Sequence, residues 1–204
     1  MEKLSSSFKN MFLVLAGISL FAAATIASIY SLTEEPIKKA KTAKEENAIR
    51  EVLPANFEKI GEIEKIGIIK IFKAYNAEGK FIGAAVESVS NKGYSGDIKI
   101  MVGFDIEGNI INYSVLEQKE TPGLGTKIVD WFKTDKHQRS IIGKNPAKNK
   151  INVIQDGGEV DAITAATISS RAFLDAVVNA YNAYAANSDA PVVDGNTGAT
   201  TVDY

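Results

Sequence analysis

The sequence predicts an α+β protein in which one membrane helix and a stalk helix lead into a single antiparallel-sheet domain. Three observations carry that prediction. A charge-free apolar run extends from Asn10 to Thr33, four strand-like runs follow in succession, and a long helical pattern comes last, from Ser169 to Asn187. The chain has 204 residues, so the stretch between the apolar run and a polar C-terminal tail holds roughly one domain.

Met11 to Leu32 (MFLVLAGISLFAAATIASIYSL) is long enough to cross about 30 Å of hydrocarbon as a helix. A cleaved signal peptide would use Lys3 and Lys9 as its basic region and Ala22 to Ala24 as its small residues. The run continues past any such site through Ile26, Ile29, Tyr30 and Leu32, which favours a retained anchor. Lys38, Lys39, Lys41 and Lys44 follow the helix and by count alone would put the C-terminal side in the cytoplasm. Glutamates at 34, 35, 45 and 46 alternate with them, and large folded domains translocate largely regardless of local charge. Lys38 to Val52 then reads as a stalk helix that ends before Pro54.

The strand-like runs are Lys65 to Tyr75, Phe81 to Ser90, Asp97 to Asp105 and Ile110 to Glu117. Gly79 and Gly108 sit in connections that suit antiparallel hairpins. Tyr75-Asn-Ala-Glu-Gly-Lys-Phe-Ile is echoed by Phe104-Asp-Ile-Glu-Gly-Asn-Ile-Ile, through either two similar hairpins or convergence on turn-favouring residues. Thr126 to Phe132 reads as a short amphipathic helix and Ile151 to Ile154 as a further strand. The final helix carries Phe173, Val177, Ala180 and Tyr184 on one face, with Ser169 or Ser170 as its N-cap. The expected organisation is an N-terminal segment at 1–10, a transmembrane helix at 11–32, the stalk at 33–54, the folded domain at 55–187 and a loose tail at 188–204.

Composition narrows the chemistry. Lys plus Arg number 23 against 25 Asp plus Glu, a net charge of −2, and no long basic block marks a nucleic-acid partner. With no cysteine the chain cannot ligate an iron–sulfur cluster, attach a c-type haem, form a disulfide or use a thiolate. The single histidine, His137, lies in a polar run from Lys133 to Arg139 and leaves no multi-histidine metal site. Carboxylates, hydroxyls and backbone amides remain.

Three segments could carry a site. Thr164-Ala165-Ala166-Thr167-Ile168-Ser169-Ser170, preceded by Asp161, puts hydroxyls and small residues at a helix N-terminus, where amides and dipole favour a phosphate. Its plainer reading is an ordinary Ser/Thr-rich cap. Glu120-Thr121-Pro122-Gly123-Leu124-Gly125-Thr126-Lys127 fixes a turn whose backbone a ligand could approach, although such turns are common. Gly93-Tyr94-Ser95-Gly96 could present an aromatic ring to a planar ligand or simply pack an edge.

In this order behind one membrane helix, these motifs resemble the FMN-binding domain family, and within it the G subunits of Rnf electron-transport complexes. The resemblance takes in the anchor, Val52-Leu53-Pro54, Gly93-Tyr94-x-Gly96, Glu120-Thr-Pro-Gly-Leu-Gly125 and Asp161-x-x-Thr-Ala-Ala-Thr167. It implies FMN joined through its phosphate to the Thr167 hydroxyl, with Asp161, Thr164, Ala165, Ala166, Ser169, Tyr94 and the turn from Glu120 to Lys127 around the cofactor. It also implies partners among the other membrane and redox subunits of an Rnf complex, moving electrons between ferredoxin and NAD and coupling this to sodium or proton transport. The chain would be single-pass in a bacterial cytoplasmic membrane, residues 1–10 cytoplasmic and the FMN domain outside. The C subunit of the sodium-translocating NADH:quinone oxidoreductase carries the same motifs, usually on a longer chain. Another extracytoplasmic reductase and a cofactor-free membrane adaptor are the rival readings. The family usually has glycine where this chain has Ala165, and left-handed backbone angles suit alanine poorly. The tail repeats the attachment motif at Asp194-Gly-Asn-Thr-Gly-Ala-Thr200; Thr167 is preferred because a helix follows it and the Glu120 turn precedes it.

Overall fold

A computed structural model describes residues 7–187, so the tail and its second motif lie outside the described residues. The chain divides into two compact units between Lys44 and Glu45. Helix α1, Phe8–Val52, is one uninterrupted element with Pro36 inside it, where sequence analysis expects separate membrane and stalk helices. Proline removes one amide hydrogen bond, but strong helix formers flank it, and Glu34–Lys38 (2.6 Å) and Glu35–Lys39 (3.7 Å) pair across it. In the apolar part the hydroxyls of Thr25, Ser28 and Thr33 donate to the carbonyls of Phe21, Ala24 and Ile29 at 2.8–2.9 Å. Polar side chains are thereby satisfied within the helix, as a hydrocarbon surrounding requires.

The second unit is built on five antiparallel strands in sequential order: β1 Lys59–Ile66, β2 Ile69–Tyr75, β3 Phe81–Gly93, β4 Gly96–Asp105 and β5 Ile110–Glu117. Each neighbour in the sheet is the neighbour in the chain, so short hairpins suffice to connect them. Asn76 and Asp105 shape their turns identically. Asn76 Oδ1 accepts from the amides of Glu78 and Lys80, and Asp105 Oδ1 from those of Glu107 and Asn109, all within 2.8–3.0 Å. The sequence echo is therefore a repeated local structure.

Both sheet faces are covered. Helix α2, Thr167–Ala186, lays Phe173, Val177 and Tyr181 against Val86, Ile98, Ile100, Phe104 and Tyr113. On the other face Ala48, Ile49, Val52 and Leu53 pack on Phe72, Ala85 and Met101. Alternate residues of β3 serve the two cores, Ala84 and Val86 one and Ala85 the other.

Three expectations are corrected. Lys65 to Tyr75 is not one strand: Gly67, at φ 60, turns the chain between β1 and β2. The apolar residues around that turn conceal it, and β1 itself is largely exposed and mixed in polarity. Thr126 to Phe132 forms two 3₁₀ turns, Gly125–Val129 and Trp131–Lys133, because the segment is too short to propagate an α-helix. Ile151 to Ile154 makes a single parallel bridge, Val153 with Val160, and no full strand. The first 3₁₀ turn is pinned from below by the buried Tyr113, whose hydroxyl donates to the Ile128 carbonyl at 2.8 Å. Burial pushes that phenol well above its ordinary pKa, so it remains a donor.

Candidate functional site

Three segments distant in sequence meet beside the N-terminus of α2. They enclose a cleft of about 460 Å³, inside the range of roughly 300–1,000 Å³ typical of small-ligand sites. The β3–β4 hairpin, where Gly93 pairs with Gly96, contributes Tyr94 from its tip. The turn after β5 contributes Thr121, Leu124 and Gly125, and the start of α2 contributes Ala165, Ala166, Thr167, Ile168 and Ser169.

Glu120 joins the three. It is buried, and its carboxylate accepts from the Ser95 amide at 3.0 Å and from the Ser169 hydroxyl. Two glycines make room for it: a Cβ on Gly93 would lie 2.8 Å from its Oε1, and a Cβ on Gly125 2.7 Å from its Cβ. The Gly-x-x-Gly and Pro-Gly-x-Gly motifs are thus linked by a shared carboxylate that occupies the space a side chain would take. Glu120 stands behind the cleft wall as its brace.

The approach to α2 is a β-turn closed by the Ala166 amide donating to the Ile163 carbonyl at 2.9 Å. Its third residue, Ala165, has φ 62, the left-handed region where glycine is ordinarily used. Sequence analysis expects Ser169 or Ser170 as the helix cap. The structure instead begins the helix at Thr167 with Ala166 as N-cap and no side-chain cap hydrogen bond. Both serine hydroxyls are drawn inward: Ser169 donates to Glu120, while Ser170 accepts from the Ile163 amide and donates to the Ala166 carbonyl, each at 2.9 Å. An alanine cap gives the first-turn amides of a 20-residue helix no acceptor of their own. That is the arrangement into which a phosphate fits.

Beside Thr121, the remaining lining presents large apolar side chains and is open. Tyr94, Leu124 and Ile168 are 50%, 39% and 37% exposed around the cleft, a surface suited to the faces and edge of a flat ring. Ile168 is a cleft residue that the motif reading omits; the available signal was an isoleucine in the first turn of the helix away from its buried stripe.

Several expected residues stand outside the lining. Asp161 is committed to structure, its amide bonded to the Gln138 carbonyl, its carboxylate to the Gln138 amide and its carbonyl to Trp131 Nε1, at 2.8–3.1 Å. Thr164 is exposed at the second position of that turn, and Lys127 is exposed. Gly123 and Thr126 face each other within the turn, the Gly123 amide donating to the Thr126 hydroxyl at 3.0 Å.

Every cleft-lining residue falls within residues 93–182, which match the FMN-binding domain family. Among the described residues, one helix is long and apolar enough to cross a membrane. Its relatives include proteins named as G subunits of ion-translocating oxidoreductase complexes. The one from Vibrio atlanticus is 31% identical, covering 86% of this chain and 89% of the relative. That from Aliivibrio fischeri is 34% identical with the same coverage, and that from Methanosarcina acetivorans is 30% identical, covering 86% and 94%. The chain belongs to the G-subunit family of ion-translocating oxidoreductase complexes.

Proposed function

We propose that this chain carries FMN covalently, as a phosphoester on the Thr167 hydroxyl, and serves as an electron-transfer subunit of an Rnf-type complex. In this reading it exchanges electrons with neighbouring redox subunits on a route between ferredoxin and NAD. The observation that carries the reading is the first turn of α2, with amides behind an alanine cap, Thr167 in the cleft lining and Tyr94, Leu124 and Ile168 close by.

FMN, when bound, supplies an isoalloxazine ring that takes up and releases electrons. The protein's part is to hold and orient. Thr167 would supply the ester oxygen, the first-turn amides of α2 would hold the phosphate, and Tyr94, Leu124 and Ile168 would hold the ring. Glu120 keeps the three walls in register through Ser95 and Ser169. A covalent tether substitutes for binding affinity, which allows the cleft to stay open to redox partners. His137, exposed and at φ 54, lies outside the cleft and has no part in this scheme.

The domain is read as lying on the outer face of a bacterial cytoplasmic membrane. Support comes from the length of the domain, for which flanking lysines do not decide translocation, and from the lack of cysteine, which costs nothing in an oxidising compartment.

Intact mass and peptide mapping of the membrane-expressed protein test the assignment. One flavin should stay with the denatured chain on the Thr167 peptide, and Thr167→Ala should lose it. Alanine is at least as good a helix former as threonine, so the domain should stay within about 0.5 kcal/mol of its original stability. Flavin released on denaturation, or retained at full level in Thr167→Ala, would overturn the reading. Protease added to intact spheroplasts should digest the chain beyond Pro36; protection there would refute the outer location.

A further inference from the structure

Glu120 ties two walls of the cleft together through Ser169. A second tie joins the other ends of the same walls. The turn wall, with Thr121, Leu124 and Gly125, is followed in the chain by Trp131, and the helix wall, from Ala165 to Ser169, is preceded by Asp161. The Trp131 indole Nε1–H donates to the Asp161 carbonyl at 2.9 Å. Each wall is thus held at both ends, since Glu120 and Trp131 flank the turn while Asp161 and Ser169 bracket the start of α2. A single bond would let the two strips of backbone pivot about it; two bonds fix the angle between them.

The surroundings of Trp131 hold its ring in the plane this bond requires. The loop after it is closed at its base by the Ile141 amide donating to the Phe132 carbonyl at 3.0 Å, which returns Arg139 to Trp131. The Arg139 guanidinium lies over the indole, its central carbon 3.8 Å from the ring centroid, a stacked arrangement that restrains the ring. Among the described residues the buried Nε–H of Arg139 has no acceptor. A guanidinium that leaves a buried donor unpaired is poorly placed for hydrogen bonding and well placed for stacking. Indole has one donor, so a ring turned out of plane loses the Asp161 carbonyl altogether. Gln138, next to Arg139, adds to the hold: its carbonyl accepts from the Asp161 amide at 2.8 Å and its amide donates to the Asp161 carboxylate at 3.1 Å. Between this clasp and Thr167 the crest of the segment, Thr164 and Ala165, is exposed. Ala165 keeps φ 62 there, an angle that alanine leaves readily unless its surroundings enforce it.

We propose that Trp131, kept in plane by Arg139, is a positioning residue for the cofactor: it sets the angle between the turn wall and the start of α2, and with it the orientation of the flavin. This rests on the reading of the cleft as the FMN site. Neither Trp131 nor Arg139 lines the cleft. Trp131 acts through the backbone of Asp161, and Arg139 acts through Trp131.

The test uses the full-length, flavin-loaded chain purified from membranes. Trp131→Phe keeps a ring under Arg139 and deletes the N–H, whereas Arg139→Leu keeps the N–H and deletes the cation. Hydrogen exchange, read by mass spectrometry on peptides spanning 159–167, should accelerate about three- to tenfold in Trp131→Phe, the effect of one hydrogen bond on a local opening, while peptides of β3 and β4 keep wild-type rates. The visible circular dichroism of the bound flavin, which senses how the ring lies in its asymmetric surroundings, should change in the same variant. Arg139→Leu should give smaller changes of the same kind, and acrylamide should quench the emission of Trp131, the one tryptophan of the chain, more strongly than in the wild type. A flavin-loaded wild type with Trp131→Phe unaltered in either exchange at 159–167 or flavin dichroism refutes the proposal and leaves the FMN reading standing. If Trp131→Phe does not fold, the same two measurements on Arg139→Leu decide. A wild type without flavin overturns the FMN reading, and the role given to Trp131 falls with it.

Discussion

Glu87 and Glu120 are both almost wholly withdrawn from water, yet they are held in opposite ways. Glu87, in the middle of β3, lies between lysines of the two adjacent strands, Lys99 at 2.9 Å and Lys70 at 3.4 Å, and Lys70 also reaches Glu45 at 2.9 Å. Burial works against the charge on Lys70, but Glu45 and Glu87 outweigh it and raise its pKa. Glu120, at the cleft, is held by neutral donors, an amide and a hydroxyl. The first carboxylate stitches strands together through charge. The second sets the spacing of three loops through direction, because hydrogen bonds to an amide and a hydroxyl fix geometry more narrowly than a flexible lysine does. Burial of a charged residue type therefore says little about its role until its partners are known.

The comparison breaks most visibly at Glu120. Glu120→Ala leaves the Ser95 amide and Ser169 hydroxyl unpaired beside a new void, so stability should fall by about 2–4 kcal/mol. Urea unfolding measures this, and the visible spectrum of the bound flavin should shift in the same variant. Glu120→Gln keeps an acceptor for Ser95 and should recover much of both effects. At Glu87 the expected loss is smaller, about 1–2 kcal/mol for Glu87→Ala, because Lys70 and Lys99 are already 28% and 29% exposed and can take up water. Its flavin spectrum should be unchanged. A spectral shift in Glu87→Ala as large as that in Glu120→Ala would dissolve the distinction between stitch and brace.

Ala165 sharpens the comparison from the backbone side. Ala165→Gly relieves a left-handed alanine, and after allowing for the looser unfolded chain it should stabilise the domain by about 0.5–1 kcal/mol without abolishing the attachment proposed at Thr167. A loss of stability would mean that the turn is not strained. The smallest effect lies at Arg171, whose guanidinium holds Asp156 through two bonds of 2.7 Å. That hydrogen bonding lowers the Asp156 pKa from its ordinary 3.8. A lowered carboxylate contributes stability that is complete above the unfolded value and disappears as pH falls through the folded value. The contribution, about 0.5–1 kcal/mol, should thus vanish only below about pH 4. Asp156→Asn should remove that part of the acid limb in a pH series of thermal unfolding, and an unaltered limb would show the pair to be inert.

Much of the architecture is legible from local pattern. The charge-free run, the strand-like runs of β3 to β5 between glycine-containing turns, and the Phe173, Val177 and Tyr184 spacing of α2 are all written within a few residues of themselves. The paired turns at Asn76 and Asp105 are likewise local, since each aspartate or asparagine bonds amides two and four residues ahead. Strand β1 is not legible in this way, because an edge strand with exposed residues on both faces has no alternation to display. The attachment motif points to the helix terminus that lines the cleft, but it misassigns the cap and omits Ile168.

By itself the sequence determined the elements whose causes are short-range: an apolar helix, hairpins, an amphipathic helix and a small-residue turn where an anion would sit. Only the tertiary structure decided which polar groups remain for a ligand. The Ser169 hydroxyl is used by Glu120 across 49 residues of sequence, and the Ser95 amide by the same carboxylate across 25. Ser170 is spent on the turn before the helix, and Asp161 on the loop at Gln138. What remains along the cleft is the alanine-capped helix start with Thr167, and the hydroxyl-bearing Thr121 and Tyr94. Hydrogen-bonding capacity is finite, so whether a hydroxyl is available for chemistry depends on partners that folding brings from elsewhere in the chain.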